Sequence, residues 1–195
     1  MTRTVLVTGA TGDTGRAVCA LLTGRGDTVL AVGTDAGRLE TVDAAERLVC
    51  DVTDRAATDA LAADLATRHG QLDGILHLVG GWKPGWGDEV TDWLNARLVT
   101  SLLNVSEAFE GMLLAAPAGR LAIVSSTVVT RDGPPSSAYA AAKLAAEAWV
   151  EQLNARWSQT PAGAVTFVVK SIDPVTAADA LAGVWDHAAG DRVVL

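Results

Sequence analysis

The sequence predicts a doubly wound α/β fold around a seven-stranded parallel sheet, and three observations predict it. Short β-branched runs alternate with alanine-rich stretches of helical spacing along the whole chain, the pattern of strand–helix units wound around a sheet. The runs are apolar without interruption, as strands covered on both faces are. Glycine, proline or aspartate marks the joints between them.

Taken in order, the apolar runs place strands at residues 4–7, 28–32, 47–49, 74–79, 120–124, 164–169 and 192–195. Between them, helical spacing places helices at residues 14–23, 55–69, 91–114, 137–158 and 177–187. Right-handed crossovers then lay helices on both faces of the sheet. A chain of 195 residues fills one compact unit, and no linker or internal repeat divides it, so residues 1–195 are expected to form a single domain. Such sheets bind ligands beyond the carboxyl ends of their strands, where the winding direction switches, and the chemistry is sought in those loops.

Composition narrows the partners. A formal net charge of -8 opposes docking on nucleic acid or an anionic membrane surface. The first apolar stretch, Val5 to Val7, is too short for a signal-peptide core, and nothing approaches the continuous apolar run of a membrane helix. Cys19 and Cys50 fall where packed, reduced thiols are expected. A soluble, cytoplasmic protein acting on a small molecule is the expectation, with no metal site.

Directly after the first strand, Gly9, Gly12 and Gly15 stand three apart, with Thr11, Asp13 and Thr14 between them. Positions without side chains let the backbone turn tightly and approach a pyrophosphate, whose charge then meets the free N–H groups of the next helix. A plain turn would explain the glycines alone, but their place between a first strand and a first helix favours dinucleotide binding. Asp51 and Val52 follow the third strand, where a carboxylate could meet an adenine amino group, while Thr53 or Asp54 could cap the next helix. The residue reading the adenosine ribose should end the second strand, at Thr34. Asp35 and Asp13 are nearby acids and Arg38 the close cation, so the charges tilt toward NAD over NADP.

Tyr139 and Lys143 stand four apart at the start of a helix, on one face. Ser126 ends the fifth strand at the same edge of the sheet, with Ser125 as the neighbouring hydroxyl. A phenol of pKa about 10 that works near neutrality needs a shift of about 3 units, or about 4 kcal/mol in favour of the phenolate. A nearby ammonium has the right sign for that.

Taken together, the glycine turn, Asp51–Val52, the fourth strand ending His77-Leu78-Val79-Gly80, Ser126, Tyr139 and Lys143 resemble the ordered motifs of the short-chain dehydrogenase/reductase family, from about residue 4 to residue 176. The resemblance implies a Rossmann fold, an NAD or NADP cofactor and hydride exchange with a carbonyl or alcohol. It implies Tyr139 as general acid or base, Lys143 on the nicotinamide ribose and lowering the tyrosine pKa, and Ser126 steadying the substrate oxygen. It also implies cofactor contacts from Gly80, Pro174 and Thr176, and assembly as a homodimer or homotetramer.

Departures qualify the resemblance. The family's relay asparagine is replaced by Leu98 or Thr100, with Asn95 and Asn104 about a turn away, and His77 stands in the fourth-strand motif as a packed residue. Most of the substrate lid is missing after Thr176, which keeps a non-catalytic dinucleotide sensor as the alternative function. Trp82 and Trp86, in the glycine-rich loop after the fourth strand, are candidates for a stacking wall at the substrate entrance, and that loop resembles the dihydropteridine reductases, short members of the same family.

Overall fold

The computed structural model describes residues 2–129, 133–171 and 173–195. Seven parallel strands form one sheet, β1 Thr4–Thr8, β2 Thr28–Gly33, β3 Glu46–Val49, β4 Gly74–His77, β5 Arg120–Ser126, β6 Gly163–Val169 and β7 Arg192–Val194, in the order β3-β2-β1-β4-β5-β6-β7. The winding runs outward from β1 in one direction and from β4 in the other. The switch point therefore lies between β1 and β4, where Thr8 pairs with His77.

The strands explain their own sequences. In β1, Leu6 packs into one core while Val5 and Val7 pack into the other, so a strand with alternating side chains still reads as an unbroken apolar run. The same division holds in β2, with Leu30 and Val32 against Val29 and Ala31. The edge strands differ: β3 alternates half-buried and exposed, with Val49 60% exposed, and β7 is largely exposed.

One core is covered by α3 Arg55–His69, α5 Ser101–Ala108 and α7 Ala138–Arg156, and the other by α1 Asp13–Gly24 and α8 Pro174–Ala182. Asp54, Ser137 and Asp173 cap α3, α7 and α8 by accepting first-turn backbone N–H groups. The expected helix over residues 91–114 is broken into α4 Asp88–Asn95, a π-helical stretch Ala96–Thr100, α5 and the short α6 Glu110–Ala115. A short helix, α2 Ala36–Leu39, was not visible in the hydrophobic period because it is a single turn set by the Asp35 cap. After β6 the chain goes straight into α8, which packs on α1 and covers the sheet; the reduced lid is thus a crossover helix. Among the described residues, no helix is long and apolar enough to cross a membrane.

Candidate active site

The turn after β1 is shaped by what its glycines exclude. Gly9 has φ +72°, and a Cβ there would lie 2.7 Å from the backbone carbonyl of Leu78 beyond β4. A Cβ on Gly15 would lie 2.4 Å from the Gly9 carbonyl oxygen, so α1 can press onto the loop only without one. Gly12 is the N-cap of α1 and supplies no side-chain bond to it, which leaves first-turn N–H groups free to meet an anion. The loop is tied down from behind by the carbonyl of Thr11, which accepts from Arg16 Nε at 3.2 Å and Arg38 Nη2 at 2.8 Å.

A cleft of about 540 Å³ runs from this loop across the ends of β2 and β3, past Gly12, Thr34, Arg38, Asp51 and Val52. Asp51 is oriented by Thr53, whose N–H and hydroxyl donate to the same carboxylate oxygen at 2.9 and 2.7 Å. The carbonyls of Val52 and Thr53 accept from Asn104 Nδ2 at 3.0 and 3.1 Å. Asn104 thus anchors this loop instead of serving a relay. Asp35 accepts the Arg38 N–H at 2.9 Å as the cap of α2, and Arg38, not Asp35, lines the cleft, its guanidinium held on the Thr11 carbonyl.

At the other side of Gly80 the cleft meets a recess of about 290 Å³ shared by Thr14, Trp82, Tyr139 and Lys143. The Ser126 hydroxyl stands beside that of Tyr139; burial pushes the phenol above its ordinary value and Ser126 offsets part of that rise. Lys143 Nζ donates to the Val124 carbonyl at 2.6 Å and lies 5.8 Å from the Tyr139 ring centre. Burial lowers its pKa to about 8, against an upward pull from Glu147. At neutral pH Lys143 is therefore mainly cationic.

His77 is fixed on both sides. Its Nδ1 meets the Thr8 hydroxyl at 2.8 Å and its Nε2 the Ser101 hydroxyl at 3.1 Å, while Ser101 donates to the Arg97 carbonyl at 2.6 Å. Ser101 has spent its proton, so Nε2 must donate to it and Nδ1 accept from Thr8. Burial, aided by Lys143, pushes the imidazole down to about 3. It is a neutral brace across the switch point, as a packed residue was expected to be.

Of the residues singled out from sequence, Gly9, Thr11, Gly12, Thr34, Asp51, Val52 and Gly80 line the long cleft, and Thr14, Trp82, Tyr139 and Lys143 line the recess, where Ser125 and not Ser126 is the serine in the wall. Gly15 acts through packing. Asp13 is exposed in the first turn of α1 and lines neither. Thr176 is turned to Asp173, which accepts from its N–H at 2.8 Å and its hydroxyl at 2.6 Å, and neither Pro174 nor Thr176 lines the cleft or recess. Trp86 is 62% exposed and outside both. Sequence missed Trp93, in the cleft wall under Gly81: a Cβ on Gly81 would come 2.4 Å from its ring, and Arg97 stacks 4.6 Å from its centre. The sequence's trace of that ring is the missing side chain at Gly81, where a Cβ would meet it.

The comparisons with known proteins agree on the kind of molecule. The chain is 34% identical over 155 residues to a 3beta-hydroxysteroid dehydrogenase of Mediterraneibacter gnavus, and 30% identical over 148 residues to a 3-oxoacyl-acyl-carrier-protein reductase of Vibrio harveyi. These alignments span 72% and 71% of this chain but only 55% and 60% of those proteins. In fold it matches a short-chain dehydrogenase from Streptomyces avermitilis (TM-score 0.88, 22% identity, 100% of this chain and 89% of that one). It also matches an NADPH-bound short-chain oxidoreductase from Pseudomonas aeruginosa (TM-score 0.90, 16% identity, 99% and 95%). With residues 3–176 also matching the family described as short chain dehydrogenase, the chain belongs to that family.

Proposed function

We propose that this chain exchanges hydride between a nicotinamide dinucleotide and a small carbonyl or alcohol, with Tyr139 as the general acid or base. The observation that carries this reading is the Tyr139–Ser126 pair, with Lys143 one turn on, at the end of a cleft continuous with a glycine loop that has no room for a Cβ at Gly9 or Gly15. The residues fit a dinucleotide: Gly9, Gly12 and the first turn of α1 would hold its pyrophosphate, Asp51 and Val52 its adenine end, and Lys143 its nicotinamide ribose. When bound, that cofactor supplies or accepts the hydride.

The protein's own work is proton handling. Burial keeps the Tyr139 phenol protonated, ready to give its proton to a substrate oxygen that gains negative charge. Ser126 holds that oxygen beside the phenol. For the reverse reaction the phenolate must be favoured, and the Lys143 ammonium is the positive charge placed to do so. Assaying dinucleotide oxidation against a panel of carbonyl compounds tests the reading. Tight dinucleotide binding with no turnover on any carbonyl would convert the site into a sensor.

The choice of cofactor turns on Arg38. The acids nearby tilted the sequence toward NAD, but Asp35 is spent as a helix cap and Asp13 is outside the cleft, while Arg38 is in its wall. We read this wall as able to take a 2'-phosphate, so NADPH is expected to bind at least as tightly as NADH at low salt. Arg38→Ala should weaken NADPH by about 5- to 10-fold and NADH by less than twofold. An equal loss for both, or a clear NADH preference in the unsubstituted protein, would return the choice to the acids.

Trp82 bears on the substrate. It is the large aromatic surface in the recess with Tyr139, and it is 67% exposed, free to cover a ligand. The two curated relatives are named for a steroid and for an acyl chain; an open recess with one broad aromatic face suits a flat ring, held by stacking worth about 0.5–1.5 kcal/mol. Trp82→Ala should raise KM several-fold for a ring ketone, quinone or pterin and leave dinucleotide affinity unchanged. A preference for long acyl substrates would remove both this role and the dihydropteridine-reductase analogy. The acidic charge and the two buried free thiols suit a cytoplasmic setting, and a homo-oligomer is the expected assembly.

A further inference from the structure

Beneath the recess lies a buried carboxylate that the proton chemistry above does not use. Glu147 is 2% exposed, one turn beyond Lys143 on α7. Its Oε1 accepts from the Ser125 hydroxyl, and Arg192 of β7 donates to Oε2 at 3.0 Å and to Oε1 at 3.3 Å. A buried anion needs such partners, and a clip that fastens the edge strand β7 to α7 would be reason enough for Arg192.

The wider pattern exceeds a clip. Three consecutive residues at the end of β5 each engage one side chain on successive turns of α7: the Val124 carbonyl takes Lys143, the Ser125 hydroxyl donates to Glu147, and Ser126 stands beside Tyr139. The strand end that presents the serine is thereby held in register with the helix that presents the tyrosine and lysine. Glu147 also acts on Lys143 by charge, raising a pKa that burial depresses. Among the described residues, the other groups around Lys143 bring no anion: His77 of β4 is neutral, Tyr139 is protonated, and Leu98 and Leu102 are the π-stretch and α5 side chains beside it. Glu151, a further turn along α7, is exposed.

We propose that Glu147 is a positioning residue for the Tyr139–Lys143 pair, gripping Ser125 to fix the end of β5 and standing one turn from Lys143 as its counter-charge, a charge it shares with Arg192. The proposal rests on the oxidoreductase reading for its purpose, but its test does not need a dinucleotide. The chain's lysines are Lys83, Lys143 and Lys170, so carbon-13 NMR of the lysine side-chain methylenes, assigned with Lys83→Arg and Lys170→Arg, follows Lys143 directly. In the unsubstituted protein its titration midpoint is expected near 8. Glu147→Gln should lower that midpoint by about one pH unit or more, while Arg192→Met, which removes a competing cation, should raise it. The pH at which dinucleotide affinity falls should move in the same directions.

A simple clip predicts something else: both variants lose stability and neither moves the Lys143 midpoint. That result would overturn the proposal, as would a midpoint that Arg192→Met leaves in place or lowers. If Glu147→Gln does not fold, Arg192→Met and the charge-conserving Glu147→Asp, expected to keep the midpoint within about half a unit of the unsubstituted protein, decide the matter. A protein whose Lys143 responds as expected yet binds no dinucleotide would count against the oxidoreductase reading and leave the charge pairing intact.

Discussion

Tyr139→Phe is expected to remove turnover, by about 100-fold or more, while dinucleotide affinity stays within about twofold. The substitution deletes one oxygen; the ring is half-buried between the start of α7 and the cluster of Leu94, Leu98, Ala138 and Ala142, and phenylalanine keeps that packing. What is lost is a proton held beside Ser126 with the Lys143 ammonium close to the ring. His77 cannot take over, because both its nitrogens are committed and its pKa is pushed down to about 3. Retention of more than about a tenth of the rate, a loss under ~1.4 kcal/mol, would place proton transfer elsewhere. Steady-state kinetics beside a binding titration separates the two effects.

Gly9→Ala is expected to cost both stability and cofactor binding. The residue has φ +72°, and the new Cβ would meet the Leu78 carbonyl carbon and oxygen at 2.7 Å and the Val79 nitrogen at 2.8 Å, all backbone atoms. The left-handed conformation costs an L-residue about 1–2 kcal/mol and overpacking about 1–3 kcal/mol more. Relief requires the phosphate loop to move away from β4, which would spoil the cradle, so dinucleotide affinity should drop by at least about tenfold. Gly111→Ala is the matched control, since nothing lies within 4 Å of a Cβ there and α6 is helical; it should be neutral or slightly stabilising. Urea unfolding and a dinucleotide titration on both variants read the difference. Equal behaviour of the two would show that the close approach to Leu78 is not a constraint.

The parts of this molecule that were legible in the sequence are those whose physics is local or strictly periodic. Gly9, Gly12 and Gly15 announce a backbone requirement by their residue type. Tyr139 and Lys143 share a helix face by their spacing alone. Val5, Leu6 and Val7 declare a strand buried on both sides. What was not legible depends on which of several short-range partners wins. Asp35 counted as a nearby acid favouring NAD, but a one-turn helix captured it as a cap, and Arg38 is the residue in the cleft wall. Thr176 looked like a cofactor contact and is held by Asp173 at the start of α8. The π-helical stretch Ala96–Thr100 interrupts what reads as continuous helical spacing, because a single widened turn carries no residue-type signature of its own. Glu147 reads as one more charge on a long helix. Only the sheet, by carrying Ser125 and Arg192 to it from distant positions, makes it part of the site.

Tyr139 is the single tyrosine of the chain, so the ionisation of the proposed acid can be followed as one signal by labelling the tyrosine ring-oxygen carbon and titrating by NMR. In the free protein the midpoint is expected above the ordinary tyrosine value, since burial outweighs the pull of Ser126. With saturating oxidised dinucleotide it should fall by about 2–3 units toward neutrality, the shift that proton transfer near pH 7 demands. A midpoint that stays where it is when the dinucleotide is bound would contradict the assignment of Tyr139 as the acid–base residue of this oxidoreductase.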